Sequence, residues 1–357
     1  MKRPSKISLI MLLVVAICLV FERPVKASDF NFTVETTTPD NQINSDVTWF
    51  NLLVEPGEVQ TLELYLRNHM DEDIVIAIDI AAATTNLGGV VEYRTRDDID
   101  RDATLVHDLA DLITFPDEVE IPVGESVTLE LELSIPAEDF EGMIAGGVTL
   151  SMQDLEADED EAYGATRIRN RFAYEIAITL QISEDMPLPN FEVGEAWADY
   201  LNARNVIFVN IQNTEATFVT WVSLTGRVYP RGGTTWLWSE VTVPQSMMFA
   251  PNSNMDFPIH LNAVLMEAGD YTACVTVATS GLEEEMVWED LCTDFTITPE
   301  QAAALTMDNL NNLNPNYIWL LIALIVVLVS LFVVLDIFIL RVIREIRALR
   351  EIKRSLK

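Results

Sequence analysis

The residues whose types and spacing bear on chemistry are few: three histidines, the cysteines Cys274 and Cys292, and the triplet Trp236-Leu237-Trp238. His69, His107 and His260 lie singly, none with a carboxylate or cysteine at metal-ligand spacing. The sequence contains no HExxH, GxSxG, CxxC or phosphate-loop motif, so it assigns no catalytic residue, metal or cofactor. Carboxylates are abundant enough that a glycosidase-like pair can meet in any sandwich fold. A sandwich-fold enzyme or enzyme accessory acting on cell-wall or matrix glycans is therefore the alternative to a non-enzymatic binding protein.

Cys274 and Cys292 occupy mirrored places about a turn at Gly281 to Glu285. Opposing them in a hairpin sets Thr276 against Asp290 and Ala278 against Trp288. Tyr271, Ala273, Val275 and Val277 then share an apolar face with Leu291, Thr293 and Phe295. The spacing predicts a cross-strand disulfide on the outer face, with two free thiols as the other reading. Trp236 and Trp238 fall on one side of a strand near Arg227, Tyr229 and Arg231. Either they mark a contact with sugar or protein, or that side packs in the core. Asp154 to Glu161 is the densest acidic run; it lacks the Asp/Asn-Gly alternation of a calcium loop and reads as a solvated hairpin tip, a cation site being the alternative.

These residues are carried by strands. Thr61 to Leu66, Thr128 to Leu133, Val148 to Met152 and Val206 to Ile211 alternate or run apolar, separated by turns such as Glu55-Pro56-Gly57-Glu58 and Pro251-Asn252-Ser253-Asn254. The expected class is all-β: two tandem immunoglobulin-like β-sandwiches, residues 28–185 and 186–298, joined at Met186-Pro187-Leu188-Pro189-Asn190. The halves share a grammar. Leu66-Arg67-Asn68 corresponds to Gln212-Asn213, Ile121 to Leu133 corresponds to Ala250 to Leu261, and Phe140-Glu141-Gly142-Met143 corresponds to Ala268-Gly269-Asp270-Tyr271. Gly269 and Tyr271 stand where a tyrosine corner begins a late strand. Turns and bulges account for most glycines of the first half, including those of Phe140 to Gly147, the alternative being that the polar residues around them line a shallow glycan groove.

At the N-terminus, Lys2, Arg3 and Lys6 precede an apolar core and Val25-Lys26-Ala27, which predicts a signal peptide over residues 1–27. Residues 299–316 read as a stalk, 317–340 as a single transmembrane helix, and 341–357 as a basic cytoplasmic tail. The expected location is the cell membrane, single-pass, with the N-terminal ectodomain extracellular and the C-terminus cytoplasmic. That ectodomain carries 52 acidic residues against ten arginines and no lysine, a net charge of −42. So negative a surface repels phosphate backbones, which argues against nucleic acid as a partner.

Signal peptide, PDNQ, LLVEPGEVQTLELYLRN, ATTNLGGVVEY, FEGMIAGGV, RFAYEIAITL, APNSNMDFPI, AGDYT and the terminal span with its basic tail, in that order, resemble the WxL-interacting proteins of Gram-positive cell surfaces. The resemblance implies an N-terminal peptidoglycan-binding domain, a host-binding domain and a membrane anchor. It also implies partnership with peptidoglycan, a WxL-domain surface protein and a host or matrix protein. Asn41, Gln42, Thr85 and Asn86 fall within matching motifs and are the binding candidates that it supplies. The lysine-free ectodomain and the cysteine pair depart from the pattern.

Overall fold

The structure is a computed structural model that describes residues 31–95, 101–153, 173–202, 204–242, 247–261, 266–281, 285–311 and 324–328. It divides into two compact units. The first gathers Met1–Asn190 with two later segments, Asn213–Val219 and Met248–Asn254; the second holds the remainder.

The first unit begins with β1 (Phe32–Thr36), β2 (Phe50–Leu53), β3 (Val59–Asn68) and β4 (Ile74–Ala82). The short hairpin β5 (Thr84–Thr85) and β6 (Val91–Glu92) follows, then the single-turn helix α1 (Leu109–Leu112) and β7 (Ile113–Thr114). β8 (Glu118–Ile121), β9 (Ser126–Ser134), β10 (Met143–Met152) and β11 (Ala173–Gln181) complete it. The strands stack as two sheets, β1-β3-β9-β7 and β2-β11-β10-β4-β8, with β2 running parallel to β11. The order of β1, β3 and β9 in one sheet and of β4, β10 and β11 in the other is that of an immunoglobulin-type sandwich.

Period-two patterning sets the register. Leu62, Leu64 and Leu66 of β3 face Leu131, Leu129 and Val127 of β9, and the three β3 leucines are fully buried while Glu63 and Tyr65 point outward. Each such leucine contributes about 1.5–3 kcal/mol, so a one-residue slip would lose the whole row. β10 is central, and Gly146 and Gly147 lie inside it instead of in a turn as expected from sequence. A Cβ on Gly146 would collide with the Ala81 carbonyl and Leu109, and one on Gly147 with the Tyr93 ring. Their task is to let α1 and Tyr93 lie close on the sheet.

The second unit is built on β12 (Phe191–Leu201), β13 (Arg204–Asn213), β14 (Val219–Pro230), β15 (Trp238–Val241) and β16 (Met247–Phe249). β17 (Ser253–His260), β18 (Gly269–Thr279), β19 (Met286–Ile297) and the helix α2 (Pro299–Asn311) follow. The sheets are β12-β13-β17 and β15-β14-β18-β19, with β16 on β14. Tyr271 forms the corner: its hydroxyl donates to the Glu267 carbonyl at 2.9 Å while its ring packs on Trp238 and Phe295.

Cys274 and Cys292 are directly opposed and disulfide-bonded, with S–S 2.05 Å. Beyond them the expected register fails. A bulge at β19, where Asp290 takes φ 56°, sets Val277 against Trp288 and Ala278 against Val287. The start of the supposed stalk is a capped helix: Thr298 and Gln301 exchange side-chain and backbone hydrogen bonds at 3.0 and 3.2 Å, Pro299 follows, and Ala302 and Leu305 are buried. Among the described residues no helix is long and apolar enough to cross a membrane. The signal peptide at 1–27, the Asp154 to Glu161 run, the tail at 341–357 and the span at 317–340, apart from the helical residues 324–328, lie outside those residues.

Candidate functional site

In the first unit residues 83–95 and 101–112 lie against β4 and β10, the Ala83 amide donating to the Ala145 carbonyl. Asn86 closes the β5–β6 hairpin: its Oδ1 accepts from the Gly88 and Val90 amides, and its Nδ2 donates to Glu92 at 2.6 Å. Past the hairpin, the Tyr93 carbonyl accepts from the Thr149 hydroxyl, Arg94 pairs with Glu175 at 3.1 Å, and Thr95 donates twice to Asp79. Burial, and secondarily the Glu175 carboxylate, raise the Tyr93 pKa above the ordinary value.

Asp108 caps α1 by accepting from the Ala110 amide at 2.9 Å. It is only 7% exposed, and Arg101 compensates its charge at 2.9 Å while also reaching Asp111 at 3.4 Å. Asp102 accepts from the Thr104 amide and hydroxyl, and from Asn254 Nδ2 at 2.8 Å. Asn252 Nδ2 donates to the Thr104 hydroxyl and the Thr214 carbonyl.

Two hollows result, sharing Leu105 and Asn252. The smaller, about 120 Å³, is lined by Ala81, Ala82 and Ala83 together with Arg94, Arg101, Asp102 and Asn254, among others. The larger, about 380 Å³, carries His107 edge-on to Phe140 at 6.1 Å, with Glu138, Asp139, Glu141 and Glu215 around them. An aromatic body among hydrogen-bonding groups suits a polar ligand with apolar faces. Among the described residues no group of His, Cys, Asp and Glu is arranged to hold a metal ion.

The candidates read from sequence are distributed differently. Asn41 and Gln60 exchange amide hydrogen bonds at 3.0 Å, and Gln42 uses both ends of its amide on the backbone of Asn44, Trp49 and Asn51. Thr85 is buried, bonding Ser253 at 2.8 Å and accepting from the Ala250 amide. The polar atoms of these residues, like those of Asn86, hold loops in place. The two indoles do not share a face. Trp238 opens β15 and is 9% exposed against Tyr271, whereas Trp236 precedes the strand and is 50% exposed, because the strand alternation on which the expectation relied begins only at Trp238. Arg94, Arg101 and Asp102, which line the smaller hollow, are not among the sequence candidates, and His107 and Phe140 read there only as a lone histidine and part of a turn-rich segment. The available signal was the rarity of cations in an acidic ectodomain, which makes two arginines seven residues apart conspicuous.

Residues 32–152 match the WxL Interacting Protein peptidoglycan binding domain, and residues 164–307 match the WxL Interacting Protein host binding domain. No curated protein matches the sequence. Among solved structures, the chaperone–tip adhesion subunit complex CsuC–CsuE of Acinetobacter baumannii Csu pili is similar at 12% identity, over 55% of this chain and 81% of that one, with a TM-score of 0.28. The chaperone–tip adhesin complex of CFA/I fimbriae biogenesis aligns at 13% identity, over 74% and 100%, with a TM-score of 0.28. The E. coli chaperone DraB aligns at 9% identity, over 75% and 98%, with a TM-score of 0.26.

Proposed function

Because the chain belongs to the WxL-interacting protein family, which joins a peptidoglycan-binding to a host-binding domain, we propose that it is a cell-surface adhesion and anchoring protein. On this reading the first unit holds peptidoglycan, the second meets a host or matrix protein, and a WxL-domain surface protein is the third partner. The span expected at 317–340 fixes the assembly to the membrane as a tether.

The observation that carries the reading is that the His107–Phe140 pair of the larger hollow falls within the peptidoglycan-binding match, while Glu215 and Asn252 of its lining fall within the host-binding match. Sugar rings present C–H faces to an aromatic side chain and hydroxyls to the acids beside it. The carboxylates also complement the amino groups of stem peptides, an attraction weakened by salt. In the second unit Trp236 and Trp221 are both about half exposed, which supports either as an indole that meets an outside partner. Both matched domains are binding domains, which supports adhesion over turnover.

The test has two arms. Purified residues 28–316 are mixed with insoluble peptidoglycan and, separately, with a WxL-domain protein at matched salt; retention on at least one is expected, and failure on both rejects the reading. Protease added to intact cells is expected to remove the acidic region. Its survival would contradict a surface location.

A further inference from the structure

The smaller hollow has a lining that differs from the rest of this acidic molecule. Two guanidinium groups, Arg94 and Arg101, and two carboxylates, Asp102 and Asp108, stand in its wall, with Arg94 already paired to Glu175 and Arg101 to Asp108 and Asp111. A free carboxylate would meet Asp102 and Asp108, and an ammonium group would meet the arginines; a neutral group is opposed by neither. Three small residues in succession, Ala81, Ala82 and Ala83, line it on one side. Donors and acceptors for a neutral polar group are present around it: the guanidinium of Arg94, more than half exposed, and the carboxylate of Asp102. The volume is about 120 Å³. A cavity of about 150 Å³ holds benzene, with its six heavy atoms, so this one accommodates a group of about four or five.

A methyl, a carbonyl and an N–H in four heavy atoms describe an acetamido group. We propose that this hollow is a subsite for the N-acetyl group of an amino sugar, with the methyl against the small residues of the Ala81–Ala83 run, the carbonyl accepting from Arg94 and the amide N–H directed to Asp102. This deepens the peptidoglycan-binding reading and rests on it. The subsite adjoins the larger hollow through Leu105 and Asn252, so a sugar anchored by its acetyl group can extend toward Phe140.

The experiment compares co-sedimentation of the full chain, in mild detergent, with three preparations of one insoluble peptidoglycan: native, de-N-acetylated, and de-N-acetylated then re-acetylated. De-N-acetylation exposes ammonium groups, which an acidic protein attracts, so charge alone would strengthen binding. The proposal expects the opposite: at least fivefold weaker binding after de-N-acetylation and recovery on re-acetylation. Arg94→Gln alters a partly exposed side chain and Ala81→Leu fills the hollow. Each is expected to weaken binding to the native material several-fold with no comparable loss on the de-N-acetylated material. Circular dichroism shows which of the two retains the fold, and Arg94→Gln decides the matter if Ala81→Leu does not. Equal or stronger binding after de-N-acetylation overturns the subsite but leaves peptidoglycan recognition standing. Binding to none of the three preparations overturns both.

Discussion

Asn68 and Asn213 make the same connection at two places in the chain. Asn68 Nδ2 donates to the Glu72 and Ile121 carbonyls at 2.8 and 2.9 Å, and its Oδ1 accepts from the Met70 amide. Asn213 Nδ2 donates to the Thr217 and Ala250 carbonyls, both at 2.9 Å, and its Oδ1 accepts from the Glu215 amide. In each case a buried amide at the end of a strand clamps the turn that follows it and a distant loop. Removing it orphans buried carbonyls, at a cost of about 1–3 kcal/mol. Asn68→Ala and Asn213→Ala are each expected to lower the urea midpoint by an amount in that range, with Asn→Asp substitutions failing to rescue because they lack the donors.

The Cys274–Cys292 bond closes a short loop on an accessible face, Cys292 being exposed. Chain-entropy arguments assign about 3 kcal/mol to a loop of this size. Dithiothreitol, or the Cys274→Ser/Cys292→Ser pair, is expected to lower stability in urea by about 2–4 kcal/mol. An unchanged midpoint would show that the bond constrains nothing that β18 and β19 do not already hold.

Alkaline pH offers a third check. Burial, with Glu175 and Glu267 secondary, raises the pKa of Tyr93 and Tyr271 above the ordinary 10.0. The unfolded chain therefore loses these phenolic protons first. Their contribution to stability is complete below about pH 10 and declines as pH climbs through the folded-state values. Spectrophotometric titration should find two tyrosines ionising late, and the Tyr93→Phe/Tyr271→Phe chain should lose less stability between pH 9.5 and 11, about 1.5 pH units that bracket the ordinary pKa.

Asn205 is 4% exposed, and neither its Nδ2 nor its Oδ1 has a hydrogen-bond partner among the described residues. Replacing an unsatisfied buried amide by an apolar side chain of similar size removes a desolvation penalty of about 1–3 kcal/mol. Asn205→Leu should raise the melting temperature; a fall would mean that the amide is satisfied by water.

The strands were legible because alternation is a local property: TLELYL and TLELEL read as half-buried strands, and burial in β3 and β9 follows that pattern. The shared grammar of Asn68 and Asn213 was also visible, since each amide is followed by its turn at the same offset. The bulge at Asp290 was not, because one inserted residue leaves composition unchanged and shifts only the register beyond it. Gly146, emptied to admit Leu109, owes its role to a distant neighbour that no local window contains. The cleft was hidden for the same reason: Asp102 meets Asn254, and Thr104 meets Asn252, across about 150 residues of sequence.

The most direct test of the central claim is quantitative co-sedimentation of residues 28–316 with purified sacculi, wild type against Phe140→Ala. An aromatic contact of this kind is worth about 1–2 kcal/mol, so the variant should bind on the order of tenfold more weakly; because Phe140 also packs against the core, its melting temperature should fall, and binding is compared well below both transitions. Absence of wild-type binding, or equal binding by both proteins, would contradict the assignment of peptidoglycan to this cleft.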